Sequence, residues 1–138
     1  MVALRIQRAM EEPKYSKVIM DEWSDLELGA FMKTCRLVVA TRLHSAILSM
    51  RFGTPALVLG YEHKSAGVCR RLGVEELNYP LGLGISTTRL LEGIDAIIGA
   101  EDEYRRRIAE GVQSEISLIE SVHADALGPY LRKERSGR

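Results

Sequence analysis

The sequence predicts an α/β domain, a parallel sheet flanked by helices, on three observations. Two short continuous apolar runs, Leu37–Ala40 and Ala56–Leu59, have the length and composition of strands buried on both faces. Apolar residues between them, Leu43, Ala46, Ile47 and Met50, recur at helical spacing. The joints are short, so strand, helix, strand and helix succeed one another as in right-handed parallel crossovers.

In chain order, residues 2–11 read as the end of a helix, with Pro13 marking its exit. Val18–Met20 is a short apolar run expected to form a strand. Ser24 offers an N-cap, and Glu27 completes a capping box for a helix reaching Lys33. After the first buried strand, the Leu43 helix ends at the Gly53-Thr54-Pro55 punctuation. The second strand leads to a helix from Ser65 to Leu72, stopped by Gly73. Pro80-Leu81-Gly82-Leu83-Gly84 reads as a loop, and Ser86 or Thr87 caps a helix to Ile98. Asp102 opens a long helix whose Ile108, Val112, Ile116, Ile119, Val122 and Ala126 stand three and four apart. Gly128-Pro129 is expected to end it, which divides the chain into a domain over 1–128 and a disordered basic tail over 129–138. The Arg105-Arg106-Arg107 run reads as a solvated helix face.

Composition narrows the class. At 138 residues the chain is one domain, long enough to bury a core. Lysine plus arginine equals aspartate plus glutamate, 19 against 19, which argues against nonspecific nucleic-acid binding. Aromatics at 6% disfavour stacking platforms. Cys35 and Cys69 lie apart in apolar periodic segments and read as small buried thiols, with neither disulfide nor metal spacing. The amino terminus carries Arg5 and Arg8 without an uninterrupted apolar core, so it does not read as a signal peptide. No apolar run approaches the roughly 18 residues a membrane span needs. The expected class is a soluble cytoplasmic domain. Only two or three parallel strands can be counted against the five or six of a complete doubly wound sheet, so the chain is expected to be cut from something larger on its amino-terminal side.

The densest chemistry is Thr41-Arg42-Leu43-His44-Ser45, where a strand gives way to a helix. The carboxyl end of a parallel strand is where open α/β sheets bind ligands, and a helix amino terminus favours an anion. Arg42 supplies a planar fork for carboxylate or phosphate, His44 a proton donor or acceptor near neutral pH, and Ser45 a hydroxyl. The plainer alternative is a solvated Arg, a capping Thr and a structural His. A second junction, Gly60-Tyr61-Glu62-His63-Lys64-Ser65, follows the next strand. Gly60 permits close backbone approach, Tyr61 offers a hydroxyl and Lys64 a point charge. Taken alone, Lys64 also fits an ordinary surface charge, and His63 a surface ring. Consecutive crossovers put both junctions on one sheet edge, so Arg42, His44 and Lys64 could converge on one anion.

Arg42-Leu43-His44-Ser45-Ala46, then Gly53-Thr54-Pro55, then Tyr61, Lys64 and Gly67, resemble the polysaccharide pyruvyl transferase family. The matching stretch runs from Val18 to Gly73, with Arg-Leu-His-Ser its most specific part. The resemblance implies a Rossmann-like domain, the carboxyl-terminal half of a two-domain fold like that of GT-B glycosyltransferases. It implies transfer of a pyruvyl group from phosphoenolpyruvate to two sugar hydroxyls, giving a ketal in an exopolysaccharide or cell-wall polymer. Arg42 and His44 would be catalytic. Arg42, Leu43, His44, Ser45, Lys64 and Tyr61 would bind phosphoenolpyruvate. Whether His44 is the acid or a phosphate ligand stays open. No metal or cofactor is expected beyond the donor substrate. The acceptor would be a saccharide; were it lipid-linked, the enzyme would sit at the inner membrane surface.

Two other readings remain. A sugar-nucleotide glycosyltransferase or epimerase shares the helix followed by Gly-Thr-Pro and a strand. Such enzymes carry a Glu five residues before that glycine, where Leu48 stands here. Alternatively, a half-enzyme serves only as an inactive interaction module, self-associating through the apolar stripe of its last helix.

Overall fold

The computed structural model describes residues 2–60, 63–81, 84 and 86–135, with side chains up to Ala126. Three parallel strands, β1 (Val38–Ala40), β2 (Ala56–Gly60) and β3 (Asn78–Pro80), form one sheet in the order β1-β2-β3. The register pairs Val38 with Ala56, and Val58 with Asn78. Helices α3 (Leu43–Arg51) and α4 (His63–Arg71) make the crossovers, giving the Rossmann-like α/β fold. Before them come α1 (Val2–Ala9), a 3-10 turn (Pro13–Tyr15) and α2 (Asp25–Lys33); after them come α5 (Thr87–Gly99) and α6 (Glu101–Arg135).

Local chemistry sets the boundaries. Ser24 and Glu27 form the expected capping box at α2: the Glu27 amide donates to Ser24 Oγ, and the Ser24 amide donates to the Glu27 carboxylate at 2.9 Å. That contact holds the exposed Glu27 carboxyl below the usual range, first through the Ser24 amide and then its hydroxyl. Ser86 caps α5 through the Arg89 amide. Gly53 and Gly73, at φ +81° and +68°, close α3 and α4 in the left-handed region that side chains avoid. The core forms around β2, whose Ala56, Leu57 and Val58 are buried against Met50, Leu77, Val74, Ile97 and Ile108.

Several expectations change. Val18–Met20 forms no strand; Ile19 and Met20 are exposed, and an apolar run without a ladder partner stays irregular. β1 is not buried on both faces: it is an edge strand, and Val39 is 46% exposed. Pro80, expected to open a loop, instead ends a strand, Asn78–Pro80, that pairs with the free edge of β2; a terminal proline suits an edge strand. α4 starts at His63, two residues before Ser65. α6 runs on to Arg135, past the Gly128-Pro129 pair expected to end it; proline removes one hydrogen bond and kinks a helix without having to terminate it. Residues 129–135 of the expected disordered tail are therefore helical. Its apolar stripe is buried at Ile108 and half-buried at Val112, whereas Ile116, Ile119 and Val122 are exposed.

The arginine run divides as well. Arg105 donates to the Cys35 carbonyl (2.7 Å), the Gly53 carbonyl (2.8 Å) and Glu101 (3.0 Å). Arg107 binds Glu76 and the Gly73 carbonyl. Arg106 alone lies on the solvated face, paired with Glu110.

Candidate functional site

The ends of β1 and β2 point the same way, and both chains turn there into helices. After Ala40, residues Thr41 and Arg42 carry the chain into α3, with Arg42 as an extended N-cap whose side chain makes no capping bond. The Arg42 side chain is exposed, and the first amides of α3 lack helical partners. After Gly60 the chain enters α4, which buries Ser65 in its first turn. A cleft of about 210 Å³ opens between these junctions, lined by Arg42, Leu43 and His44 with Thr41 on one side, and by Val58, Leu59, Gly60 and Ser65 on the other.

The described lining includes no acidic residue. Among the described residues, no hydrogen bond or ion pair engages the Arg42 guanidinium or the His44 ring, and both side chains are exposed. Two cationic or protonatable groups, two helix amino termini and no described carboxylate are a combination whose chemistry suits a small anion. Gly60 matters for space: a Cβ there would run into Ser65 Oγ and stand 3.0 Å from Asn78 Oδ1. That Asn78 oxygen is buried without a hydrogen-bond partner, directly behind the cleft wall.

The structure thus brings Arg42, Leu43 and His44 together. Ser45 is half-buried and faces a neighbouring cleft between α2 and α3. Lys64 is exposed in the first turn of α4 and does not line the cleft; Ser65 does. Tyr61 lies outside the described residues. Ser65 stood in the second junction but was not selected from sequence, and Asn78 carried no signal there, because only β3 pairing places it behind Gly60. The Cys69 thiol, in α4, is raised to about 11 by burial first and then by Glu75 and Glu76, so it offers no thiolate nucleophile.

Comparison with known proteins bears on the same residues. Residues 2–63 match the family described as Polysaccharide pyruvyl transferase. Over 127 residues, 92% of its length, the chain is 36% identical to the Amylovoran biosynthesis protein AmsJ of Erwinia amylovora. These matches support the polysaccharide pyruvyl transferase family for the chain. It spans 30% of the length of that relative. No solved structure matches it. The segment matched to the pyruvyl transferases covers β1, α3 and β2 and stops at the first residue of α4, so it contains Arg42, Leu43, His44 and Gly60 but neither Lys64 nor Ser65. Among the described residues, no helix is long and apolar enough to cross a membrane.

Proposed function

We propose that this chain carries the donor side of a pyruvyl-transfer site in exopolysaccharide biosynthesis, with phosphoenolpyruvate in the cleft between the β1 and β2 ends. The observation that supports it most is the unpaired state of Arg42 and His44 at the amino terminus of α3, with no carboxylate among the described lining. Phosphoenolpyruvate carries two anionic groups, a carboxylate and a phosphate. The Arg42 fork suits either, and the amides of α3 suit the other. A second domain facing the crevice, in a GT-B-like arrangement, would supply the remaining wall.

The chemistry asks for an acid. Protonating the methylene carbon makes the central carbon electrophilic, and His44, which lines the cleft, is our candidate to give that proton. Two acceptor hydroxyls then bond to the central carbon while the bond to phosphate breaks. One hydroxyl proton replaces the one His44 gave up, and the other leaves on phosphate, so the ketal and inorganic phosphate balance. Arg42 compensates the charge on the departing phosphate.

Following the backbone amides during titration with phosphoenolpyruvate tests this reading. Saturable shifts confined to residues 41–44, 60 and 65, lost in Arg42→Ala, are expected. A well-dispersed spectrum indifferent to the ligand refutes it, and a response to a uridine nucleotide instead would favour a sugar-nucleotide enzyme. In the intact enzyme, Arg42→Ala and His44→Ala should each lower kcat on the order of 10²–10³-fold.

A further inference from the structure

We infer that the distal half of α6 docks against a second copy of this chain, in the groove that α3, α4 and α6 form around Met50, the two helices lying antiparallel about a two-fold axis. The helix outruns the domain that supports it. Ile108 is buried and Val112 half-buried, yet every residue from Ile116 to Ala126 is exposed while the helix continues to Arg135. Most helical stability in proteins comes from packing an amphipathic face, and this segment has such a face with nothing described against it. Ile119 and Val122, 53% and 55% exposed, continue the line of the buried Ile108, with Ile116 and Leu118 on either edge. The groove beside the helix measures about 420 Å³ and is apolar at Ile47, Met50, Val68 and Leu72. Exposed apolar surface of this continuity marks an interface.

Charge selects the occupant. Residues 116–126 carry Glu120 and Asp125 and neither lysine nor arginine, whereas the groove carries Arg51 and Arg71. Arg71 already holds Glu115 at 2.9 Å; among the described residues, Arg51, Glu120 and Asp125 make no ion pair. One chain thus presents an acidic apolar helix beside a basic apolar groove, the self-complementary surface that a two-fold interface requires. The phase of α6 fixes which groups meet. At about 100° per residue, Glu120 falls on the edge of the helix that Arg105 shares, toward the Gly53 carbonyl just after α3. Asp125 falls on the edge that Arg107 shares, toward the Gly73 carbonyl just after α4. Two-fold rotation of antiparallel helices keeps each edge on its own side. Glu120 of one copy therefore meets Arg51 of the other, and Asp125 approaches Arg71, with Ile119 near the axis. Ile47, Ile116, Leu118, Ile119 and Val122 are each between 40% and 55% exposed. At roughly 100 Å² apiece, two copies together reach about 1,000 Å², the area a specific interface has to clear. The groove shares no lining residue with the cleft at the β1 and β2 ends, so this pairing does not rest on the donor reading.

The test is the mass of this chain by light scattering after size-exclusion chromatography, loaded from about 5 to 500 µM so that micromolar affinities register. The mass is expected to climb from 15.4 kDa toward twice that value as concentration rises. Ile119→Asp and Val122→Asp should each hold it at the monomer value throughout. Both side chains are exposed, so both variants should keep the parent's cooperative unfolding by circular dichroism. Arg51→Glu, which sets a carboxylate against Glu120, should weaken association at least about tenfold, and adding Glu120→Arg should restore it. A mass of 15.4 kDa at every concentration overturns the inference. So does an association indifferent to the two Asp substitutions or to Arg51→Glu, or an Arg51→Glu defect that the second charge reversal leaves unrepaired.

Discussion

Replacing Arg105 by alanine should cost this domain far more than replacing its neighbour Arg106. The Arg105 guanidinium donates to the carbonyls of Cys35 and Gly53 at 2.7 and 2.8 Å, and its Nε donates to Glu101. Those carbonyls lie where the chain enters β1 and β2, so one side chain on α6 ties both strand starts to the last helix. A hydrogen bond to a charged donor is worth about 1.5–3 kcal/mol when one partner is removed. The Arg105 side chain is 28% exposed, so water re-solvates part of each abandoned carbonyl, and we take about 1–1.5 kcal/mol per bond. The sum for two backbone bonds is about 2–3 kcal/mol. At some 3–5 °C per kcal/mol for a chain of this size, the melting temperature should fall by roughly 6–15 °C. Arg106 makes only an exposed pair with Glu110 one helical turn away, worth about 0.3–0.5 kcal/mol. Arg105→Lys, a point charge able to satisfy one carbonyl at a time, should fall between. Urea unfolding followed by circular dichroism measures all three. An Arg105→Ala variant within 0.5 kcal/mol of Arg106→Ala would refute the argument, since the clamp would then contribute no more than a surface pair.

Four other outcomes are expected. On the proposed donor reading, Gly60→Ala should weaken phosphoenolpyruvate binding at least about tenfold, because the new methyl displaces Ser65 from the cleft wall. Gly67→Ala, in α4 with open space around its absent Cβ, should instead stabilise by about 0.5–1 kcal/mol in the same unfolding assay. Glu101 is held below the ordinary carboxylate range by hydrogen bonds from Arg36 and then Arg105. Its folded-state pKa is depressed, so its stabilisation is complete above its unfolded value of 4.5 and is lost as pH falls through the folded value. Glu101→Gln should therefore lower the melting temperature at pH 7 and flatten its decline below 4.5; parallel curves would contradict this. Cys69, buried and raised to about 11, should resist iodoacetamide at pH 8 until urea is added, leaving Cys35 as the thiol modified in the folded protein.

The parts of the fold legible in sequence were those specified locally. The Ser24–Glu27 capping box, the glycine that closes α3 and the strand-to-helix passage at Thr41–Ser45 depend on neighbours within one turn. Val18–Met20, expected as a strand, and Pro80, expected as loop, both came out otherwise for one reason. A strand exists by virtue of its partner, so three apolar residues without one stay irregular, while Asn-Tyr-Pro beside the free edge of β2 becomes β3. Lys64 illustrates the cost of a shifted helix start. Beginning α4 at His63 rather than Ser65 turns each residue by about 100° per position, and the residue that meets the cleft is Ser65.

The arginine run was also readable, had its helix been phased from Ile108. Arg106 stands two residues before that buried side chain, roughly 160° around the helix, which is the solvated face. Arg105, three residues before it, lies only about 60° away and must meet the body of the domain. A buried or half-buried guanidinium in that position needs acceptors, and the carbonyls at the starts of β1 and β2 provide them. The two ends of the sheet therefore use cations differently. At the amino ends, Arg36 and Arg105 are committed to Glu101 and to backbone oxygens, and removing either partner costs stability. At the carboxyl ends, Arg42 and His44 hold no partner among the described residues, so on the donor reading an anion arriving there would break no described ion pair. A cation already paired would have to give up its carboxylate to bind phosphate. On the donor reading, placing the unpaired ones at the carboxyl ends would let the same small sheet be stable at one end and receptive at the other.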